Sequence, residues 1–155
     1  MIAFARTVEE PEYQRQIWIR DLSSGEEWRL GPGYEPAWSP NGEWIAFVDR
    51  AVREDVLKAK EDGSPLLIAR YESQEVFLMR SDGSDRYQLT DHPATGEVPE
   101  EFISQETTEP TIYLLESNLT DWSPAWSPDG KSIVFMRMDS EKAESNLWLL
   151  TLSGR

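Results

Sequence analysis

The stretch Pro36-Ala37-Trp38-Ser39-Pro40-Asn41-Gly42-Glu43-Trp44-Ile45-Ala46-Phe47 returns 88 residues later as Pro124-Ala125-Trp126-Ser127-Pro128-Asp129-Gly130-Lys131-Ser132-Ile133-Val134-Phe135. A match of that length means the chain is built from repeats, and a repeat is one supersecondary unit that buries its apolar faces only against its neighbours. A second element occurs three times: Ile17-Trp18-Ile19-Arg20-Asp21-Leu22-Ser23-Ser24-Gly25, Val76-Phe77-Leu78-Met79-Arg80-Ser81-Asp82-Gly83-Ser84, and Leu147-Trp148-Leu149-Leu150-Thr151-Leu152-Ser153-Gly154. Ile2-Ala3-Phe4 matches Ile45-Ala46-Phe47 at an offset of 43.

These segments are short, rich in β-branched and aromatic residues, and bounded by Asn-Gly, Asp-Gly and Ser-Gly pairs that accept positive φ. They show no helical periodicity and read as strands. The prolines beside Trp38 and Trp126 would interrupt a central ladder, which suits short first strands flanked by turns. Burial of each indole is worth about 2–3 kcal/mol. Asp82-Gly83 and Asp129-Gly130 are turn residues, with Asp bonding its own backbone and Gly taking the left-handed conformation.

The combination of P-A-W-S-P-D-G-K, an I-x-F strand, a strand ending D-G-S and a short strand ending L-T resembles the TolB-type, WD-repeat-like β-propeller repeat. The residues that carry the resemblance are Pro36, Trp38, Ser39, Pro40, Gly42, Phe47, Asp82, Gly83, Pro124, Trp126, Ser127, Pro128, Asp129, Gly130 and Phe135. It implies an all-β fold, a partial propeller of four-stranded antiparallel blades. With strands lettered a to d outward from the channel, residues 2–30 supply b, c and d of one blade. Residues 34–90 supply a whole second blade with an insertion at 51–73. Residues 91–122 form a second insertion, and residues 123–154 supply a, b and c of a third blade. In a four-stranded meander the b–c and d–a connections share one face, so both insertions are expected to project from the same side. A rival register reads 55–64 with 65–68 as a c–d hairpin and 111–116 as a strand of an additional, degenerate blade between 71 and 122. A short helix over 52–60 is a further alternative.

The net charge of −14, from 15 Lys and Arg against 29 Asp and Glu, disfavours nucleic acid and anionic membrane surfaces as partners. Cysteine is absent, which removes disulfides, thiolate nucleophiles and zinc ribbons. No segment reaches the roughly 20 apolar residues of a membrane helix, and the first residues lack the pattern of an export signal. His92, the one histidine, lies in a Thr-Asp-His-Pro turn and reads as a solvent-exposed loop residue. No G-x-S-x-G elbow accompanies it, so no catalytic residues are assigned and the chain is expected not to be an enzyme. Acidic residues gather at Glu9-Glu10-Glu12 and at Glu97, Glu100, Glu101, Glu106 and Glu109. They lack calcium-loop spacing and read as solvated loops, so neither metal nor cofactor is expected. Asn118-Leu119-Thr120 matches a glycosylation acceptor by chance, and Trp122 is either a ligand-stacking residue or blade packing.

The expected function is a non-catalytic scaffold binding a protein or peptide on the insertion face, with Tyr71, His92, Glu100, Glu101 and Trp122 as candidate contacts. Family resemblance also implies an accessory propeller of a serine peptidase of the prolyl oligopeptidase or tricorn type, its catalytic domain lying elsewhere. A truncated fragment without independent function is the third reading. Self-association of copies to complete a ring is a further expected partnership, and the resemblance suggests the periplasm.

Overall fold

A computed structural model describes residues 1–8, 14–93, 95–104 and 108–152. The fold is all-β, in two sheets. The first pairs β1 (Ile2–Val8), β2 (Gln14–Arg20) and β3 (Glu27–Pro32) in an antiparallel meander, matching strands b, c and d of a blade. The second sheet continues with β4 (Tyr34–Trp38), β5 (Trp44–Ala59), β6 (Pro65–Arg80) and the two-residue β7 (Tyr87–Gln88), which are a to d of the next blade. After a four-residue helix, α1 (Glu100–Ile103), come β8 (Thr111–Trp126), β9 (Ser132–Asp139) and β10 (Glu144–Thr151), a third antiparallel meander. No helix among the described residues is long and apolar enough to cross a membrane.

The repeated motif folds the same way twice. Ser39 N–H donates to Trp44 O and Ser127 N–H to Ser132 O, each at 2.8 Å. Inside each turn the serine hydroxyl donates to the following Asn or Asp, Ser39 to Asn41 at 2.7 Å and Ser127 to Asp129 at 2.6 Å. The same hydroxyl accepts a backbone N–H, from Trp44 or Ser132. Gly42 (φ 73) and Gly130 (φ 68) take the left-handed position that closes the turn. The hydrogen bonds from Ser127 and Lys131 hold the Asp129 carboxyl below the usual carboxylate range.

The inner strand β4 is short, at five residues, as expected, whereas β8 runs for 16; in both, the proline lies in a bulge. Glu35 (φ 51) and Ser123 (φ 50) sit 88 residues apart in the same left-handed conformation. There the ladder slips, between Tyr34 and Ala37 and between Trp122 and Ala125. Pro36 and Pro124 follow these residues, where no ladder N–H is required.

The middle blade is buried on both faces, as its unbroken run Ile45-Ala46-Phe47-Val48 requires. Ile45, Phe47, Phe77 and Met79 pack with Ile17 and Ile19 of the first blade, while Ala46 and Leu78 pack with Ile133 of the third. Each blade also carries one cross-strand aromatic pair under a guanidinium: Phe4 and Trp18 under Arg6, Phe47 and Phe77 under Arg86, Phe135 and Trp148 under Arg137. Arg6 and Arg137 stand two residues after their phenylalanines. At that position the middle blade has Asp49, which pairs with Arg86 from the outer edge.

The insertion at 51–73 is strand and turn throughout, and the one at 91–122 becomes strand at Thr111. Residues 51–73 continue β5 and β6, each 16 residues long, as one hairpin closed by the turn at Asp62-Gly63-Ser64. Ser64 N–H and Oγ–H both donate to Asp62 Oδ1, as those of Ser84 do to Asp82. β5 runs as strand to Ala59, held by its ladder to β6 from Val52↔Glu72 to Ala59↔Pro65, and this overturns the helix over 52–60. The hairpin of the rival register therefore exists as the far end of b–c, not as c–d of another blade. Likewise residues 111–122 belong to β8, so the third blade's inner strand begins at Thr111 and not at 123. That early half pairs in parallel with β6, from Leu67↔Thr111 to Glu72↔Glu116. The two expected insertions thus merge into one three-stranded tongue.

Candidate functional site

Where the tongue leaves the blades, three segments converge on a buried polar cluster. Glu75 comes from β6, Asp121 from β8 and His92 from the loop after β7, all buried, Glu75 and Asp121 to 0% exposure and His92 to 6%. His92 Nε2 lies 3.0 Å from Asp121 Oδ2 and 3.5 Å from Glu75 Oε2. It has no aligned hydrogen-bond partner. Around this centre, Thr90 Oγ1 donates to Glu75 Oε2 at 2.7 Å and the His92 backbone N–H donates to Glu75 Oε1 at 2.8 Å. Arg137 grips Asp121 with a two-point fork, Nε to Oδ1 at 2.8 Å and Nη2 to Oδ2 at 2.9 Å. Burial raises the Asp121 carboxyl, but the Arg137 fork, with His92 and Thr90 close beside it, outweighs burial and holds the group below its ordinary value.

The expectation of an exposed His92 is therefore corrected. Thr-Asp-His-Pro is irregular backbone after β7, and Glu75 captures the Thr90 hydroxyl and the His92 N–H, which carries the ring inward against β8. The first repeat holds no equivalent, because the position of Asp121 is there Gly33. A Cβ on Gly33 would lie 2.6 Å from Phe47 Cδ2, so that junction is filled by packing alone.

Beside the cluster lies a pocket of about 200 Å³, lined by Arg53, Tyr71, Glu72, Gln88, Asp91 and His92 among others. Tyr71, half-buried on β6, has the Arg53 guanidinium 4.5 Å from its ring centroid. Tyr71 and His92 are thus brought together. Glu100 and Glu101 are exposed on α1, whose Phe102 packs edge-on against Tyr113 of β8 with centroids 4.7 Å apart. Trp122 is half-buried, sits edge-on to Tyr34 and donates its Nε1–H to Thr120, which is packing and not an open stacking platform. Glu97 and Glu109 are exposed, while Glu9, Glu10, Glu12 and Glu106 lie outside the described residues.

The outer face of the tongue is a second candidate surface. Its ladder forms three transverse rows: Val56–Ile68–Ile112, Glu54–Arg70–Leu114 and Val52–Glu72–Glu116. Val52, Val56, Ile112 and Leu114 are exposed on it. Arg70 Nε lies 3.1 Å from Glu72 and 3.6 Å from Glu54, which places an ionic stripe beside the aliphatic row. The opposite face buries Leu67, Ala69 and Leu115.

Sequence reasoning missed Glu75, Asp121 and Arg137. The available signal was a charge embedded in or abutting a strand, Glu75 before Val-Phe-Leu-Met and Asp121 inside the inner strand, where a carboxylate is buried only with a partner.

No family model matches the chain, and no curated protein matches it. Among solved structures it is similar to the β-propeller domain of the Trilobed protease from Pyrococcus furiosus, described as having an open velcro topology. The identity is 14%, the TM-score 0.47, and the match covers 96% of this chain. The chain spans 38% of the length of that structure.

Proposed function

We propose that the chain is a non-catalytic module of a TolB-type propeller that binds a protein or extended peptide on the outer face of its tongue. The observation that carries this reading is the tongue itself. Blades need short connections, yet here the b–c hairpin and the following inner strand are extended together into a rigid sheet whose outer face keeps four aliphatic side chains in water beside an ionic stripe. An exposed aliphatic row set directly against a row of paired charges offers both the apolar contact and the polar specificity that protein-binding patches use. Catalysis has less support: His92 Nε2 faces two carboxylates, and among the described residues no hydroxyl nucleophile is hydrogen-bonded to it.

The test compares wild type with Val56→Lys/Ile112→Lys, which leaves the buried face of the tongue untouched, in cross-linking capture from cells of the source. A protein captured by wild type and lost with this variant, while Glu100→Gln/Glu101→Gln retains it, supports the reading. Equal capture by all three rejects the tongue as the binding face. The outermost blades favour self-association as a second property, since Leu147 and Leu149 on β10 stand 78% and 67% exposed.

A further inference from the structure

The buried cluster has the chemistry of a cation site, and this inference does not rest on the tongue as a binding face. We propose that Glu75, Asp121 and His92 hold a divalent transition-metal ion, with Zn²⁺ the best fit. Three donor atoms, one imidazole nitrogen and two carboxylate oxygens, lie within 4.8 Å of one another. The separations of 3.0 and 3.5 Å between Nε2 and the two oxygens suit ligands that each stand about 2.0–2.2 Å from a shared Zn²⁺. The mixed nitrogen and oxygen set favours a borderline cation over Ca²⁺ or Mg²⁺, which take oxygen.

Two further observations point to a ligand. His92 Nε2 is buried and aimed at two carboxylate oxygens without an aligned hydrogen bond, an unsatisfied polar atom that calls for a ligand. The charges also fail to balance within the cluster, since two fully buried carboxylates face one guanidinium, and a buried charge needs a counter-charge. The surrounding hydrogen bonds are those of an outer shell. Thr90 and the His92 N–H orient Glu75, and the Arg137 fork orients Asp121 while leaving each oxygen a second lone pair. The pocket lined by His92, Asp91 and Gln88 gives the ion its route in. A bound ion would clip β6, β8 and the loop after β7 together, so binding and folding are coupled.

The experiment uses the full chain without a polyhistidine tag, stripped with chelator and titrated with Zn²⁺ by calorimetry, alongside thermal unfolding. One ion per chain is expected, with a midpoint raised by several degrees, and no comparable effect of Mg²⁺. His92→Gln should weaken binding by at least about tenfold, and Thr90→Val, which touches only the outer shell, by about tenfold. Glu100→Gln/Glu101→Gln should bind as wild type does. Should His92→Gln fail to fold, the visible spectrum of Co²⁺ bound to wild type decides, showing an imidazole-ligated band that Zn²⁺ displaces. Absence of saturable binding, binding that survives in a folded His92→Gln, or a Co²⁺ spectrum like that of the hydrated ion would each overturn the proposal. If His92 acts instead as an imidazolium partner to the carboxylates, wild type will bind no ion while His92→Gln loses stability, and that also overturns it.

Discussion

Gly33 and Asp121 occupy the same place in two copies of one repeat, yet no substitution could exchange them. Gly33 has φ 138, and a Cβ there would lie 2.6 Å from Phe47 Cδ2 and 2.9 Å from Ile17 Cδ1, in the packed junction between the first two blades. Gly33→Ala therefore combines backbone strain with overpacking and is expected to cost on the order of 3 kcal/mol, read as a lower urea midpoint with unchanged slope. Its neighbour Tyr34 gives a pH-dependent readout. Burial, reinforced by Glu35 and Asp49 and opposed by Arg15, pushes the phenol from 10.0 up to about 12. Between those values the unfolded chain releases a proton that the folded chain keeps, so the contribution is full below pH 10 and is lost as pH rises toward 12. Tyr34→Phe should flatten the decline in stability across that window, measured by denaturant unfolding at stepped pH, and an unchanged slope would rule out Tyr34 as its source.

At the scale of elements, the three aromatic pairs solve one problem in two ways. The first and third blades place an arginine two residues after the phenylalanine on the same strand, whereas the middle blade places Asp49 there and draws Arg86 in from the next segment. Arg86 also donates to Pro32 O at 2.9 Å, which ties the blade to the end of β3. Arg86→Gln should therefore cost about 2 kcal/mol, and adding Asp49→Arg should restore more than half of it, as a double-mutant cycle by urea unfolding would show. Elements of this kind were legible in the sequence to unequal degrees. The Ser-Pro-Asn/Asp-Gly turns and the apolar strands are specified by neighbouring residues, so Trp38 to Phe47 and Trp126 to Phe135 fold as their pattern implies. The tongue was hidden because Arg53-Glu54-Asp55 puts consecutive charges on both faces of β5, which breaks the alternation that marks a strand, and because its strands outrun the repeat, so residues 51–73 read as a departure from it. The burial of His92 was hidden because it depends on Glu75 and Asp121, which lie 17 and 29 residues away along the chain.

For the whole molecule, the repeat makes the outer surfaces interpretable. Ala46 and Val48, buried in the middle blade, correspond to Val134 and Met136 of the third, and Met136 is 38% exposed. The same face continues through Leu147 and Leu149, while the opposite end of the chain presents Ile2, Phe4 and Trp18. These faces match the two sides of a blade-to-blade contact in kind, and we propose that they meet between copies, head to tail. With a net charge of −14 on each copy, association should strengthen as salt screens repulsion. Sedimentation velocity should show mass rising with concentration and with salt for wild type and not for Leu147→Lys/Leu149→Lys; a wild type that stays monomeric throughout would refute it. The parallel pairing of β6 with β8 bears on how the molecule comes apart. Blades are usually held to one another by side chains alone, and such arrays lose cooperativity at the seams between neighbours. Here one seam is sewn by backbone hydrogen bonds from Leu67 to Gln74, while the first blade forms a sheet of its own. Native-state hydrogen exchange should accordingly divide the chain into two cooperative units, with residues 14–32 opening at lower free energy and residues 44–138 opening together.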